Sequence, residues 1–207
     1  MEFASADPSA VRSIKQRALL NAWLRTPRRS RPLPSLGDFR PDGISGELAD
    51  MMAYEVEGDG ETARFLIAQE GSRMIAAYGV AHTGLDHRTR RYLDDVAGAE
   101  RYARIVPCYR ACLARKRPAY SILRMPDSDG KEVSFERLLL PFGRTEKVEY
   151  IIGSYKAVSI ESGFTITNLK GISASKTRVQ VVNAVIETGL SRRPTSYGTP
   201  HDVIEAS

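Results

Sequence analysis

The chain has 207 residues, of which 42% are hydrophobic and 27% are charged, and its net charge is +5. These values predict one folded domain, with or without extensions, and exclude a chain that is disordered throughout. Every uncharged apolar run is far shorter than the roughly 20 residues that a membrane span needs, and the N-terminus lacks the apolar segment of a secretory signal. We therefore expect a cytoplasmic protein that has no membrane partner.

The N-terminal part, residues 1–46, combines a helix with a connecting segment. Residues 10–24 predict an amphipathic helix, and Pro27 helps to end it. Residues 27–46 are rich in Pro, Arg, Ser and Gly, which is typical of a connecting segment. The apolar stripe predicted for the helix consists of Val11, Ile14, Ala18, Leu19, Ala22 and Trp23.

Residues 25–40 contain five arginines and a single acid, Asp38. Such a patch can neutralise phosphates, so a basic accessory protein that binds nucleic acid is one alternative hypothesis. The sequence has no helix-turn-helix spacing, zinc-finger ligand set or stacked-aromatic motif that would position the patch. Solvated charge is the preferred interpretation, and we do not expect a nucleic-acid partner.

The central part, residues 47–158, predicts a mixed domain. A helix is expected at 98–116, with Pro107 kinking it or shifting its start. Short helical pieces are expected between 71 and 95. Strands are predicted at 50–56 and 62–69, and again at 118–126, 132–142 and 148–158. The order of these elements predicts an α+β fold, in which a five-stranded antiparallel sheet has helices across one face.

The C-terminal extension, residues 159–207, contains one further ordered candidate. This segment is SKTRVQVVNAVIET, and its hydrophobic period fits a helix or a strand equally well. Beyond Gly189 the chain has no core pattern, so we expect that part to be mobile. The sequence does not reveal what the extension does.

The stretch FERLLLPF at 135–142 is apolar on both faces of its predicted strand. A sheet that is apolar on both faces needs a cover on each, because an exposed apolar face promotes association. The helix at 10–24 is the expected cover for the second face, from the same chain or from a second subunit. Candidate dimer-interface residues are therefore Ile14, Ala18, Leu19, Trp23, Leu138 and Leu140.

Arg137 lies among apolar neighbours, and the sequence does not fix which face of the strand it occupies. A buried unpaired charge costs several kcal/mol, so an inward-pointing arginine needs a carboxylate, a carbonyl or an anionic ligand. The preferred hypothesis is that Arg137 anchors the sheet to residues 33–41 through Asp38 or Asp42. Recognition of a ligand by Arg137 is the alternative.

Several local strings, in their order, resemble those of a PAS domain. They are NAWLRTPRRSRPLPSLGDFRP, the EGS at 70–72, the YG and TG pairs between 78 and 84, and ERLLLPF at 136–142. The resemblance covers residues 14–158 and is nearest to a bacterial family of short single-PAS proteins with no attached output domain. The family usually has an acidic residue between the YG and TG pairs, where this chain has Ala81 and His82.

The resemblance implies a sensory or regulatory module rather than an enzyme. Such a module binds a small molecule between the inner sheet face and the helices, or signals by rearrangement of a homodimer through its N-terminal helix. It also implies a regulatory protein partner, which the sequence does not identify. The implied pocket residues, which could equally be simple core packing, are Phe65, Ile67, Tyr102, Tyr109, Leu113, Phe135, Arg137 and Leu139.

No cofactor follows from the sequence. A haem receptor is a further alternative, because His82 and His87 lie in the relevant region, although solvent-exposed histidines are the preferred interpretation. Cys108 and Cys112 lack the further ligands of a structural zinc site and are expected to pack as small apolar residues. The chain has no nucleophile elbow, phosphate-binding loop or metalloprotease motif, so we expect no catalytic activity and no catalytic residues.

Overall fold

The computed structural model describes residues 2–78, 90–127, 130–160 and 178–187, which form an α+β fold. No helix among these residues is long and apolar enough to cross a membrane. The described part contains four helices, which are α1 (Ile14–Arg25), α2 (Ser72–Tyr78), α3 (Leu93–Ala97) and α4 (Ala99–Arg115). It contains seven strands, which are β1 (Ala4–Ala6), β2 (Met51–Glu57), β3 (Arg64–Glu70), β4 (Ala119–Pro126), β5 (Glu132–Phe142), β6 (Tyr150–Ser159) and β7 (Val179–Ile186).

All seven strands form one mixed sheet in the order β1-β7-β4-β5-β6-β2-β3. Among the strands that the structure describes, only the β1–β7 pair is parallel, and the other pairs are antiparallel. The expectation of a five-stranded sheet is therefore wrong in strand number. The five predicted strands are present, and β7 and β1 extend the sheet beyond β4. The segment with the ambiguous period forms β7, because pairing with β4 gives its backbone hydrogen-bond partners.

The sheet has a separate hydrophobic core on each face. The inner core lies under α4 and includes Phe65, Tyr109 and Leu139. The outer core lies under α1 and includes Trp23, Leu138, Leu140 and other side chains of β4, β5 and β7. Successive residues of a strand point to opposite faces, so β5 supplies side chains to both cores. This arrangement explains the doubly apolar pattern of FERLLLPF.

The helix α1 contacts the outer face through a stripe that differs from the predicted one. Gln16, Leu19, Leu20 and Trp23 are buried, and their spacing is i, i+3, i+4 and i+7. The polar Gln16 belongs to this stripe because its Nε2 donates a hydrogen bond to the Ser154 carbonyl at 2.9 Å. Trp23 Nε1 donates to the Pro141 carbonyl at 2.7 Å. Two members of the predicted stripe, Ile14 and Ala18, are exposed instead.

The N-terminal end of α1 is held by a buried carboxylate on β5. Glu136 Oε2 accepts hydrogen bonds from the Tyr120 hydroxyl at 2.6 Å and from the Ser13 amide at 3.2 Å. The Arg12 amide donates to the same Tyr120 hydroxyl at 3.1 Å. A negative charge at this end of a helix is favourable, because the unsatisfied amides give it a partial positive charge. Burial, together with the bond to Glu136, raises the pKa of Tyr120 well above its ordinary value.

A buried ion cluster fixes the segment before β2 to the sheet. Lys156 Nζ lies 2.5 Å from Glu47 Oε2 and 2.6 Å from Asp50 Oδ2. Arg73 Nη2 donates to Asp50 Oδ2 at 2.7 Å. Burial alone would raise the pKa of Asp50, but the bonds from Arg73 and Lys156 outweigh it and hold that pKa below its ordinary value.

Gly153 allows the ring of Tyr155 to lie against the backbone of its own strand. A Cβ atom at Gly153 would lie 2.5 Å from the Tyr155 hydroxyl oxygen and 2.9 Å from two ring carbons. Both residues belong to β6 and point to the inner face, so the ring could leave only by moving into the packed core. The glycine is therefore required for the position of Tyr155.

Gly153→Ala is expected to destabilise the fold by about 2 kcal/mol, because the added methyl group forces the Tyr155 ring out of a fully packed site. Urea denaturation followed by circular dichroism measures the change in the free energy of unfolding. Gly46→Ala is the matched control, since a Cβ atom there meets nothing within 4 Å. Equal stabilities for the two variants would contradict this account of Tyr155.

Asp50→Asn is expected to lower the free energy of unfolding by about 3 kcal/mol at pH 7, because it removes one anion from a buried ion cluster. The Asp50 pKa is depressed in the folded state, so its stabilising effect is present above the ordinary value of 3.8 and is lost as the pH falls through the folded pKa. The difference between wild type and variant should therefore shrink below about pH 4. A difference that stays constant from pH 7 to pH 3 would contradict the ion-pair interpretation.

Candidate ligand-binding site

A row of polar side chains crosses the inner face of the sheet. Asn183 on β7 is paired with Ser121 on β4, Ser121 is paired with Arg137 on β5, and Arg137 is paired with Tyr155 on β6. Directly paired residues of an antiparallel sheet share a face, so these four side chains form one line under α4. The neighbouring positions of this face are mainly apolar. We refer to Asn183, Ser121, Arg137 and Tyr155 as the polar row.

One end of the polar row joins a cluster of three buried tyrosines. The Tyr155 hydroxyl lies 2.8 Å from the Tyr54 hydroxyl and 2.7 Å from the Tyr109 hydroxyl. The third pair, Tyr109 and Tyr54, is joined at 3.0 Å, and the two rings meet edge to face. Each hydroxyl can donate one hydrogen bond and accept another, so the triangle satisfies all three groups without water. These contacts fix α4 to β2 and β6.

Arg137 lies at the centre of the polar row and points to the inner face. Its side chain is buried, and the guanidinium carbon lies 5.9 Å from the ring centroids of both Phe135 and Tyr155. The hypothesis that Arg137 anchors the sheet through Asp38 or Asp42 is therefore wrong. Residue alternation places Arg137 under α4, whereas Asp38 lies 3.9 Å from Arg29 at the surface.

The other end of the polar row faces a cavity of about 170 Å³ between α4 and strands β4, β5 and β7. Its polar side chains come from elements distant in sequence, and its apolar wall is formed by Ile105 and Leu123. No carboxylate lies among the described residues that line it. We call it the arginine cavity, and it is lined by Arg104, Ile105, Cys108, Ser121, Leu123, Arg137, Arg178, Gln180 and Asn183.

Arg178, at the edge of the arginine cavity, lies near other arginines. Burial, followed by repulsion from Arg104, Arg101 and Arg137, lowers the pKa of Arg178 to about 10. Glu100 opposes this effect and lies 2.5 Å from Arg104, but it does not line the cavity. Among the described residues, three arginines and one glutamate therefore act on the pKa of Arg178.

The two cysteines, Cys108 and Cys112, lie on α4, are both buried, and form no disulfide. Burial raises the pKa of the Cys108 thiol, although the nearby Arg137 opposes the increase. Burial likewise raises the pKa of Cys112, whose sulfur lies 3.9 Å from the Leu139 carbonyl oxygen. Raised thiol pKa values disfavour the thiolate, so neither cysteine is suited to nucleophilic chemistry.

Of the predicted pocket residues, only Arg137 lines the arginine cavity. The others pack in the inner core nearby, where Phe65, Tyr109, Leu113 and Leu139 are buried and Ile67, Tyr102 and Phe135 are partly buried. No direct signal in the sequence pointed to Arg104 or Arg178. A usable signal existed on the strands, because Ser121 and Asn183 are polar residues at inward-facing positions of otherwise apolar segments.

The candidate dimer residues divide into two groups. Leu19, Trp23, Leu138 and Leu140 are fully buried in the outer core of their own chain. Ile14 and Ala18 lie on the opposite side of α1, where Ile14 is 80% exposed. With the chain folded in this way, a second subunit can therefore contact only Ile14 and Ala18 among these six candidates.

A second cavity, of about 210 Å³, lies on the outer side near the start of β2. Its walls are almost wholly apolar, and they include Phe39, Ile44, Leu48 and Ile152. It has no charged lining residue among those described, so it offers a ligand little beyond apolar contact. The arginine cavity is the stronger candidate because it combines an apolar wall with converging polar groups.

The remaining sequence hypotheses concern metals and nucleic acid. His82 and His87 lie outside the described residues, and the described residues contain no cluster of His, Cys, Asp or Glu that could hold a metal ion. Within the basic segment, Arg28 stacks on Trp23 at 4.7 Å from the ring centroid. Arg29 is paired with Asp38, so part of this positive charge is already engaged within the chain.

Comparisons with protein-family models, with curated proteins and with solved structures gave no match.

Tyr155→Phe is expected to lower the free energy of unfolding by about 1–2 kcal/mol, because it leaves the Tyr54 and Tyr109 hydroxyls each without one buried partner. Chemical denaturation measures the change. Tyr102→Phe is the control, since Tyr102 is only partly buried and lies outside the tyrosine triangle. If both variants lose the same stability, the triangle contributes nothing specific.

Proposed function

We propose that this protein is a PAS-type sensory or regulatory module that binds a small molecule in the arginine cavity. The output is protein–protein interaction in the cytoplasm rather than catalysis. The observation on which the proposal rests is the arginine cavity itself, which lies between α4 and the inner sheet face and contains converging polar groups. Sites of this kind, a concave apolar surface with a few placed polar groups, are typical of ligand binding.

The arrangement of elements supports the proposal. Strands β2 and β3, a helical middle and strands β4 to β6 follow one another as in the domain that the sequence strings resemble. The five strands are antiparallel throughout, and α4 crosses their inner face. Strands β1 and β7 are additions outside that pattern, and β7 contributes Gln180 and Asn183 to the cavity.

The chain also offers a physical route from the cavity to the outer surface. Arg137 lines the cavity on the inner face, and its neighbour Glu136 holds the N-terminal end of α1 on the outer face. A ligand that displaces β5 at Arg137 therefore changes the position of Glu136 as well. In this proposal, α1 and its exposed Ile14 and Ala18 form the surface that a second subunit or a regulatory partner recognises.

Native mass spectrometry of the purified protein, with a thermal-shift screen of small molecules, tests the proposal. We expect either a bound small molecule of stoichiometric mass or saturable stabilisation by a screened compound. Leu123→Trp should abolish either effect, because the indole fills the cavity. Val179→Trp is the matched control, since Val179 is 60% exposed and lies outside the cavity lining.

Binding that survives Leu123→Trp unchanged would place the ligand elsewhere and contradict the proposal. The complete absence of a bound or stabilising molecule would contradict it as well.

The same spectra report whether the protein is a dimer. Ile14→Arg should dissociate a dimer that uses the exposed side of α1.

A further inference from the structure

We propose that the cavity of about 210 Å³ near the start of β2 is a second binding site, which takes a small neutral molecule with an apolar or aromatic body. We call it the outer cavity, because it lies between the outer face of the sheet and residues 36–48. The inference goes beyond the proposed function, which assigns a ligand to the arginine cavity. It concerns a different site and a different class of ligand.

The base of the outer cavity is a row of paired residues on three neighbouring strands. Ala53 on β2 is paired with Gln69 on β3 and with Ile152 on β6. Paired residues share a face of the sheet, so the small side chain of Ala53 leaves a hollow between two larger side chains. A bulge in β3, with Ala68 as its extra residue, places Gln69 in this row. The hollow therefore follows from the choice of alanine at one strand position.

The cover of the outer cavity, residues 36–48, is held at both of its ends. Near one end, Phe39 packs against Phe142, with the ring centroids 5.0 Å apart. At the other end, Glu47 and Asp50 are bound to Lys156 in the buried ion cluster. Protein interiors are normally packed without voids, so a cavity that persists between fixed walls is already formed before a ligand arrives. Such preorganisation lowers the cost of binding.

Gly71 adds a further restraint on the end of the cover. A Cβ atom at Gly71 would lie 2.3 Å from the Leu48 carbonyl oxygen and 2.4 Å from the Ala49 carbonyl oxygen, so the two backbones are in direct contact. The Gly71 amide also donates to the Met51 carbonyl at 2.8 Å. The backbone of Leu48 is thereby fixed, while its side chain, which is 49% exposed, forms part of the cavity wall.

The chemistry of the walls indicates a neutral ligand. No charged side chain lines the outer cavity among the described residues, and Gln69 is the single polar side chain among them. A charged ligand would lose its hydration in this cavity without gaining an opposite charge. An apolar body, by contrast, gains free energy by removing water from the apolar walls. The amide of Gln69 can serve one neutral polar group of such a ligand.

The volume of the outer cavity sets the size of the ligand. About 210 Å³ exceeds the engineered cavity of about 150 Å³ that binds benzene in another protein, so a body of about one or two rings fits. Met51 and Met52 belong to the lining, and methionine side chains adapt easily to the shape of a ligand. Gln69 and Leu48 are exposed lining residues, so they give a ligand access from solvent.

The test compares indole with benzoate and with phenethylammonium, which have the same number of non-hydrogen atoms as indole but carry a charge. Isothermal titration calorimetry of the full chain at pH 7 measures the three affinities. We expect indole to bind with one-to-one stoichiometry and at least tenfold more tightly than either ion. Titrations at several temperatures should give a negative heat-capacity change, which is the marker of apolar burial.

Variants connect the binding to the outer cavity. Ala53→Phe should reduce indole affinity about tenfold or more, because the added ring fills the hollow. Ala68→Phe is the matched control, since it is the same substitution on the adjacent strand, at an exposed residue outside the lining. Leu123→Trp, which fills the arginine cavity, should leave indole affinity unchanged.

A second variant keeps the test available if Ala53→Phe does not fold. Ile44 lies in the cover, outside the strands, and lines the outer cavity. Ile44→Trp should therefore reduce indole affinity from the opposite wall without changing the sheet. Circular dichroism of each variant shows whether it is folded.

The outcomes separate this inference from the proposed function. Equal affinities for indole and the two ions would overturn the neutral class of ligand. Indole binding that survives both Ala53→Phe and Ile44→Trp would overturn the site. Indole binding that is lost only in Leu123→Trp would place the neutral ligand in the arginine cavity, which overturns this inference and supports the proposed function. A protein that binds no indole and forms a dimer that Ala53→Phe dissociates would show that a side chain of a second copy fills the cavity, and would overturn the inference as well. Absence of binding by every probe would overturn it too, while the proposed function is decided separately by the Leu123→Trp comparison.

Discussion

Burial of β5 on both faces is the constraint on which the rest of this structure depends. A strand with an apolar core on each side needs two covers, and the chain supplies α4 for one face and α1 for the other. Each cover is also tied to the sheet by polar contacts. Gln16 and Trp23 donate to sheet carbonyls on the outer side, and the tyrosine triangle joins α4 to β2 and β6 on the inner side. Directional contacts of this kind fix where each helix lies, whereas apolar burial alone would tolerate sliding.

The polar groups inside this sheet are of two physical kinds. The tyrosine triangle and the cluster of Lys156, Asp50, Glu47 and Arg73 are satisfied within the chain, since donors meet acceptors and cations meet anions. The arginine cavity differs, because polar side chains from α4, β4, β5 and β7 line a concave space beside an apolar wall. Satisfied networks stabilise a fold, while polar groups that line a concave space can also contact a ligand. That contrast is the physical reason for assigning the cavity, and not the triangle, to a ligand.

Much of the fold could be predicted from sequence because its signals are local. The bounds of β5 were predicted residue for residue, since turn-forming residues flank a clear alternation. The helix predicted at 98–116 matches α4 to within a residue at each end, despite Pro107. Gln16 was missed because hydropathy does not count a polar side chain that satisfies buried carbonyls. The three-residue β1 has no pattern of its own. The arginine cavity was only partly predicted. Arg178 comes near Arg137 through the pairing of β7 with β4, and Arg104 through the packing of α4 on the sheet, and neither has a local signal.

The covalent link between Glu136 and Arg137 has a consequence for signalling in the proposed sensor. Their side chains point to opposite faces, so any rotation of this part of β5 moves the inner guanidinium and the outer carboxylate together. Glu136 makes its bonds to Ser13 and Tyr120 at hydrogen-bond distances, where small displacements weaken them markedly. A ligand can bias this arrangement only if it binds one position of Arg137 better than another. A ligand in direct contact with the guanidinium meets that condition, because electrostatic contacts depend steeply on separation inside a low-dielectric cavity.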